Sequence, residues 1–443
     1  MSVAGTVMLA GGMCTGASAF WWLRSLAARG GDMRPAGDVG EVVAAAPVEL
    51  RTAVLVIADP EQRPRMFLAL KLGSVESGFP VLEDWVYTDY GLQVDLLMLS
   101  GQTRNDWSKD ETRDALCQVL GVPEVRVGFP HPGVVRLELR VFDTLADTAT
   151  LPGSASVVGV DLEAVPVGVT EDFDTWRVRV LYGHILLAGA TGSGKGSVLW
   201  SIIAALGPAI KAGLVDLYLA DPKGGAEFGK GENRLFVRFA TDNPTILAML
   251  AEAVELMRER LARMRAAGLR KIVPSTDEPL ILIIIDEAAS LSSYASREEQ
   301  QEFRRLTGLL LSQGRAAAVS VVAALQDPSK ETMPNRQLFP VRIGLRLDEP
   351  TQSAMVHGQG ARDRGARCDE ISDLTPGVGY VGEDGSSEFV RVRAYFVSDD
   401  DIDAIVDAYS PAPEIAAPAE DYSGFDPDDL GDGGESEDGP VAA

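Results

Sequence analysis

Apolar positions recur along this chain in different patterns, and the patterns divide it. From residue 183 to about 398, strand-like runs alternate with longer stretches of helical spacing. The runs His184–Ala188, Leu214–Ala220, Leu280–Ile285 and Val319–Leu325 are mostly apolar, and Val341–Leu347 reads as a fifth strand. A strand with one wet face alternates apolar and polar residues. These runs therefore predict strands buried on both faces, in a mainly parallel sheet covered by helices.

The upstream pattern is more mixed. Leu50–Ala58 and Leu92–Leu99 read as strands. Asp110–Leu120 has helical spacing and is stopped by Gly121-Val122-Pro123. In Glu124–Val127, Val125 and Val127 alternate with charged residues, which predicts another strand, as does Val134–Val141. Residues 145–182 read as short strands and turns, and residues 30–47, rich in Gly, Ala and Pro, as a linker. After Asp399 the chain turns acidic and rich in Pro, Gly and Ser, and residues 411–443 read as a disordered tail. The expected division is an N-terminal arm and linker (1–47), a small α/β domain with connecting strands (48–180), a larger α/β domain on the parallel sheet (181–400), and an acidic tail (401–443).

Charge narrows the choice of partners. The net charge is −25, and ten acidic residues lie between Glu414 and Asp438 with no Lys or Arg among them. The rest of the chain is still acidic, so a nucleic-acid partner would need a local basic surface. The best candidate is Arg258, Arg260, Arg263, Arg265, Arg270 and Lys271, although the helical part of that run reads better as a solvated helix face. Cys14, Cys117 and Cys368 are far apart and odd in number, and His131, His184 and His357 are equally scattered. Neither a disulfide framework nor a metal cluster is expected, which fits a reducing compartment.

The N-terminus changes the picture of location. Val3–Leu23 carries no charge, and Arg24, Arg29 and Arg34 follow it. A run of that length just spans a bilayer. Its positive flank would keep the remainder in the cytoplasm. No positive charge precedes the run, unlike a secretory signal. The expectation is a single-pass anchor at the cytoplasmic face of the membrane, the alternative being an apolar arm on a cytoplasmic protein.

The candidate chemistry begins where His184–Ala188 ends. Gly189-Ala190-Thr191-Gly192-Ser193-Gly194-Lys195-Gly196 follows at once, and a helix is expected from Lys195 to about Leu206, stopping at Gly207-Pro208. Strand, glycine-rich loop and helix in this order make a P-loop. The glycines let backbone amides turn inward around phosphates, the helix N-terminus adds partial positive charge, and Lys195 adds a full one. One position departs from the motif. The residue after the lysine normally carries a hydroxyl that ligates Mg2+, and here it is Gly196. Ser197 is turned about 100° away around the helix and would reach toward the α-phosphate. The missing ligand would then be left to water.

Leu280–Ile285 ends in Asp286-Glu287. An aspartate there would hold Mg2+, usually through water, and Glu287 would orient and activate the attacking water. Leu214–Ala220 ends in Asp221-Pro222-Lys223, and Val319–Leu325 in Gln326. Ligands bind at this edge of a parallel sheet, which would place Gln326 to sense a γ-phosphate. For both Asp221 and Gln326, ordinary turn chemistry is an equal reading.

Together these segments resemble the FtsK/SpoIIIE family of ring-shaped DNA-pumping ATPases. The matching points are Leu187–Lys195, Asp221-Pro222-Lys223, Met257–Arg260 with Gly268-Leu269-Arg270, Asp286-Glu287, Gly314–Ala317, Leu325–Pro328, Asn335 and the Arg342–Arg346 strand. They agree in order over roughly residues 180–398. Shorter similarities, Gly91–Val94 and Val167–Val169, lie in the preceding domain. The resemblance implies a RecA-like P-loop motor using ATP and Mg2+, a homo-hexameric ring with nucleotide at subunit interfaces, and double-stranded DNA in the channel. It also implies that Arg315 is an arginine finger reaching a neighbour's γ-phosphate. The bland reading of Arg315 is a solvated surface arginine. The single candidate anchor, the compact length and Gly196 resemble transfer proteins of actinobacterial mobile elements.

Three functions remain open from sequence. The first is an ATP-driven double-stranded DNA translocase, in conjugative transfer or DNA segregation. The second is a protein-secretion ATPase of the same family. The third is a nucleotide-gated scaffold whose hydrolysis is impaired by Gly196.

Overall fold

The computed structural model of this protein describes residues 38–153 and 159–411. The candidate anchor at 3–23 and nearly all of the acidic tail lie outside the described residues. Among the described residues, no helix is long and apolar enough to cross a membrane.

The small domain is an antiparallel sheet of four strands, β1 (Val81–Thr88), β2 (Gly91–Leu97), β3 (Glu124–Gly128) and β4 (Val134–Arg140), in the order β1-β2-β4-β3. The helix Asp110–Leu120 packs on it, and Gly121, in the left-handed region with φ 66°, ends that helix as expected. The expected strand over Leu50–Ala58 is instead a helix, Arg51–Ala58. Its buried residues are Ala53, Val54 and Ile57. Residues 53, 54 and 57 share one helical face, whereas an alternating strand would bury 53, 55 and 57 together, and Leu55 is exposed. The linker at 30–47 also contains a helix, Val39–Ala45, and Ala46 is buried in the small domain's core. Trp107 and Phe67 meet edge to face at the centre of that core.

The large sheet has eleven strands. Its parallel half runs β10 (Phe236–Ala240), β9 (Val215–Ala220), β11 (Leu280–Ile285), β12 (Val319–Leu325), β8 (Ile185–Ala188), β13 (Val341–Leu345). Strand β11 shows why the uniformly apolar runs were readable. Leu280, Leu282 and Ile284 join the core on one face, while Ile281, Ile283 and Ile285 join the core on the other. Each such side chain contributes roughly 1.5–3 kcal/mol through burial.

Beyond β13 the sheet becomes antiparallel: β14 (Val378–Glu383), β15 (Val390–Phe396), β6 (Val165–Thr170) and β7 (Thr175–Val178) continue it, and β5 (Ala149–Thr150) pairs with β15. The connecting strands assigned by sequence to the small domain thus lie on the large sheet. Two helix boundaries also differ from expectation. The helix after the P-loop continues through Gly207-Pro208 to Lys211. Gly207 serves close packing there: a Cβ on it would lie 2.2 Å from the Tyr409 ring. That ring belongs to the helix Asp399–Tyr409, which replaces the expected start of the tail. Ser398 caps this helix, three aspartates occupy its first turn, and Ile402, Ile405 and Val406 are buried. Acidic residues at a helix N-terminus complement its dipole, so this acidic stretch favours a helix.

Candidate nucleotide site

The C-terminal ends of β8, β9, β11 and β12 meet at one edge of the sheet. The Gly189 amide donates to Leu325 O at 3.1 Å, and the Asp286 amide to Ala220 O at 2.9 Å. Successive strands thereby place the glycine loop, Asp221, Asp286-Glu287 and Gln326 side by side. Strand β8 comes first in the chain among the parallel strands yet lies between β12 and β13, so the chain leaves it toward distant β9. That is a switch point of the kind where α/β sheets bind ligands.

The loop is held from outside and open inside. Ala190 N–H donates to Arg346 O at 2.8 Å, and Arg346 Nη2 donates to Thr191 O at 2.8 Å. Gly194 caps the helix at φ 97°, with Gly377 N only 2.4 Å from where its Cβ would be. Among the described residues, the amides of Thr191, Gly192 and Gly194 meet no acceptor. Amides arranged in this way suit an anion. Ser193 Oγ is buried and lacks a partner. The Lys195 ammonium donates to Gly189 O at 2.6 Å and to Ala190 O at 3.2 Å, folded back on its own loop. Burial lowers its pKa, partly countered by Glu287 and Asp286. Ser197 sits half-buried in the first helical turn.

The acidic pair divides its roles. Asp286 is 4% exposed and its Oδ2 accepts from Lys223 Nζ at 2.9 Å. Glu287 is 7% exposed, and both of its carboxylate oxygens are buried without a hydrogen-bond partner. Its backbone has φ 67°, a left-handed conformation costing about 1–3 kcal/mol for a residue with a side chain. Strain and an orphaned carboxylate at one residue are concentrated where a ligand or reacting water would complete the site.

Gln326 Oε1 accepts from Thr191 Oγ1 at 3.1 Å, so the structure brings it to the loop. Arg315 is elsewhere. It lies on an exposed turn before β12, at the other end of a strand about 20 Å long. Its charge helps to lower the pKa of buried His184 after burial itself, marking it as a neighbour of the strand's start. The basic run is largely spent on internal contacts. Arg260 is buried, donating to Ala317 O, Ala318 O and Pro279 O, while Arg258 pairs with Glu255 and Arg263 with Glu278. Its helical part is a structural clamp and a paired helix face, while Arg265, Arg270 and Lys271 stay exposed.

Sequence reading missed one acidic residue here. Asp221 Oδ2 accepts the amides of Glu227 at 3.1 Å and Phe228 at 3.3 Å, and its Oδ1 accepts the Lys223 amide. This folds the loop after β9 against the P-loop helix, where Phe228 stacks on Trp200 at 5.3 Å. Glu227 then lies beside Gly196, and burial followed by the Asp286 charge raises its pKa. The sequence signal was the missing hydroxyl at Gly196, which calls for another oxygen nearby. Among the described residues no three His, Cys, Asp or Glu are grouped to hold a metal unaided. A divalent ion would need phosphate oxygens and water to complete its shell, the usual situation for Mg2+.

Similar proteins place this geometry. The DNA translocase FtsK of Bacillus cereus is 26% identical over 362 residues, covering 76% of this chain and 42% of that protein. The chain thus spans less than half the length of such relatives. In structure it is similar to the pCW3 conjugation coupling protein TcpA, in a monomer form with ATPγS, with TM-score 0.52 and 20% identity over 78% of this chain and 97% of that one. It is also similar to the cytoplasmic domain of the Type VII secretion ATPase EccC of Thermomonospora curvata, with TM-score 0.50 and 21% identity over 60% of this chain and 35% of that one. These likenesses identify the fold as that of P-loop ATPase motor domains. Residues 153–278 match the model of the FtsK/SpoIIIE family, a span holding the glycine loop and the β9 loop.

Proposed function

We infer that this protein is an ATPase that drives movement along double-stranded DNA, working as a ring of identical subunits in conjugative transfer or DNA segregation. The observation carrying this reading is the meeting, at one sheet edge, of the open amide cradle of Lys195 with the orphaned carboxylate of Glu287. The family domain and the translocase relatives support DNA as the substrate.

In this reading the residues act as follows. The open amides of Thr191, Gly192 and Gly194, those of the first helical turn at Lys195 and Gly196, and the Lys195 ammonium bind the β- and γ-phosphates, with Lys195 released from its loop carbonyls, while the Gly189 and Ala190 amides stay tied to Leu325 O and Arg346 O. Ser197 reaches the α-phosphate. Glu287 orients a water toward the γ-phosphate and accepts its proton. Gln326, already tied to Thr191, reports whether the γ-phosphate is present. Asp286 holds the Mg2+ that accompanies ATP, with Lys223 giving way. When bound, Mg2+ would supply neutralisation of phosphate charge. Exposed and far from its own loop, Arg315 would serve a neighbouring subunit's nucleotide. DNA phosphates would be held in the ring channel, without sequence preference and weakened by salt. The apolar segment at 3–23 would tether the ring to the membrane.

ATP turnover of the full chain, with and without duplex DNA, tests the reading. DNA should stimulate turnover, and Lys195→Ala should abolish it. Turnover indifferent to DNA but raised by a peptide would instead indicate protein secretion. Tight ATP binding with no turnover would indicate a scaffold.

A further inference from the structure

Gly196 takes the place of the hydroxyl residue that follows the lysine in this loop motif. The space a side chain would fill there is occupied. A Cβ built on Gly196 would lie 2.0 Å from Glu227 Oε1 and 3.1 Å from its carboxyl carbon. A serine could not be accommodated unless Glu227 moved. The loss of one oxygen ligand and the arrival of another therefore coincide at one point.

The backbone of Glu227 is anchored there, although the residue itself is exposed. Asp221 grips the amides of Glu227 and Phe228, and Phe228 is fully buried and stacked on Trp200 of the P-loop helix. The loop reaches this point through Gly224 and Gly225, both with positive φ, 74° and 80°. Residues with Cβ atoms adopt that conformation poorly, so the turn is fitted to its sequence. Two further groups of the nucleotide edge have no hydrogen-bond partner among the described residues: Ser193 Oγ, 2% exposed, and the Glu287 carboxylate, 7% exposed.

We propose that Glu227 ligates the nucleotide-bound Mg2+ directly, replacing the hydroxyl absent at Gly196, while Asp286 holds the ion from the other side through water. This rests on the nucleotide reading of the site and adds the residue that completes it. A hard divalent cation takes carboxylate, phosphate and water oxygens readily. The exchange also alters the site's charge. A neutral hydroxyl tolerates bare phosphates, whereas a carboxylate repels them until a cation intervenes. Nucleotide binding thereby becomes strongly conditional on the metal.

The test is ATPγS affinity of the full chain by calorimetry, in Mg2+ and in EDTA, for wild type, Glu227→Gln, Gly196→Ser and the double variant Gly196→Ser with Glu227→Ala. Glu227→Gln keeps the side chain's shape. It should weaken binding in Mg2+ by roughly ten- to hundredfold and tighten binding in EDTA. Gly196→Ser alone should bind poorly, and the double variant should regain affinity in Mg2+. Free Mn2+ counted by paramagnetic resonance beside ATPγS should rise in Glu227→Gln. If Glu227→Gln leaves the Mg2+/EDTA affinity ratio unchanged while Lys195→Ala still abolishes binding, the assignment of Glu227 is overturned and the nucleotide site stands. If wild type binds no ATPγS in either condition, both are overturned.

Discussion

Two charged regions of this protein are built on opposite plans. Where the small domain meets the large sheet, most ionised side chains meet a counter-charge, although Arg113 Nε, Arg126 Nη2 and Arg140 Nη2 are buried without a hydrogen bond. Asp110 accepts from Arg362 at 2.6 Å and from Arg367 at 2.8 Å. Arg126 and Arg140 converge on Glu171, and Arg391 grips Asp143. Burial pushes the Asp110 carboxyl up, but the two guanidinium groups outweigh it and hold its pKa at about 2. At the nucleotide edge, by contrast, Glu287 is buried without a partner, loop amides point at nothing, and Lys195 makes do with its own loop. At the joint, charge is met largely by opposite charge within the chain. A site that must bind is left incomplete, and the free energy of completing it is available to the ligand.

The contrast is broken most severely at Glu287. Glu287→Gln should lower ATP turnover by about 10²–10⁴-fold while ATP affinity in Mg2+ stays near wild type, as read by steady-state assay and calorimetry. A loss of both together would mean that Glu287 binds ATP instead of acting on water.

At the joint the effect should be on stability alone. Asp110→Ala removes one of the two carboxylates that Arg362 and Arg367 share, Glu370 remaining to both, and should cost about 1 kcal/mol in denaturant unfolding. Nucleotide affinity should not change. A parallel loss of affinity would show that the joint and the edge are one system.

A further effect on stability concerns pH. Burial, then the Arg315 charge, pushes His184 down to about 3, and burial, then Arg342 and Arg364, does the same to His357. Below the ordinary histidine value near 6.5 the unfolded chain binds protons that the folded chain refuses. The stability is therefore complete above about pH 6.5 and falls as pH drops toward 3, by up to about 1.4 kcal/mol per pH unit for each histidine. Melting temperatures at pH 7 and pH 5 should differ, and His357→Gln should reduce the difference.

The nucleotide edge was more legible in the sequence than the joint, for a physical reason. Strands buried on both faces, such as Leu280–Ile285 and Val319–Leu325, appear as unbroken apolar runs whose limits match the structure. A glycine loop must follow its strand directly, so Gly189–Gly196 was visible as one word. Gln326 reached the loop because β12 pairs with β8. The joint is made by residues such as Asp110 and Arg367, 257 positions apart, which no local pattern connects. The helix Arg51–Ala58 hid its period in a short run of apolar residues. The helix Asp399–Tyr409 was obscured by acidic residues that in fact cap it. Glu227 lies 31 positions from Gly196 in sequence, and only the β9 loop's fold brings the two into contact.

The most direct test of the central claim is displacement of a third strand from triplex DNA by the full chain. With ATP and Mg2+, displacement should proceed and fall as salt rises, and Glu287→Gln protein should bind the DNA without displacing the strand. DNA-stimulated ATP turnover with no displacement at any protein concentration or salt would contradict the claim that this edge drives movement along DNA.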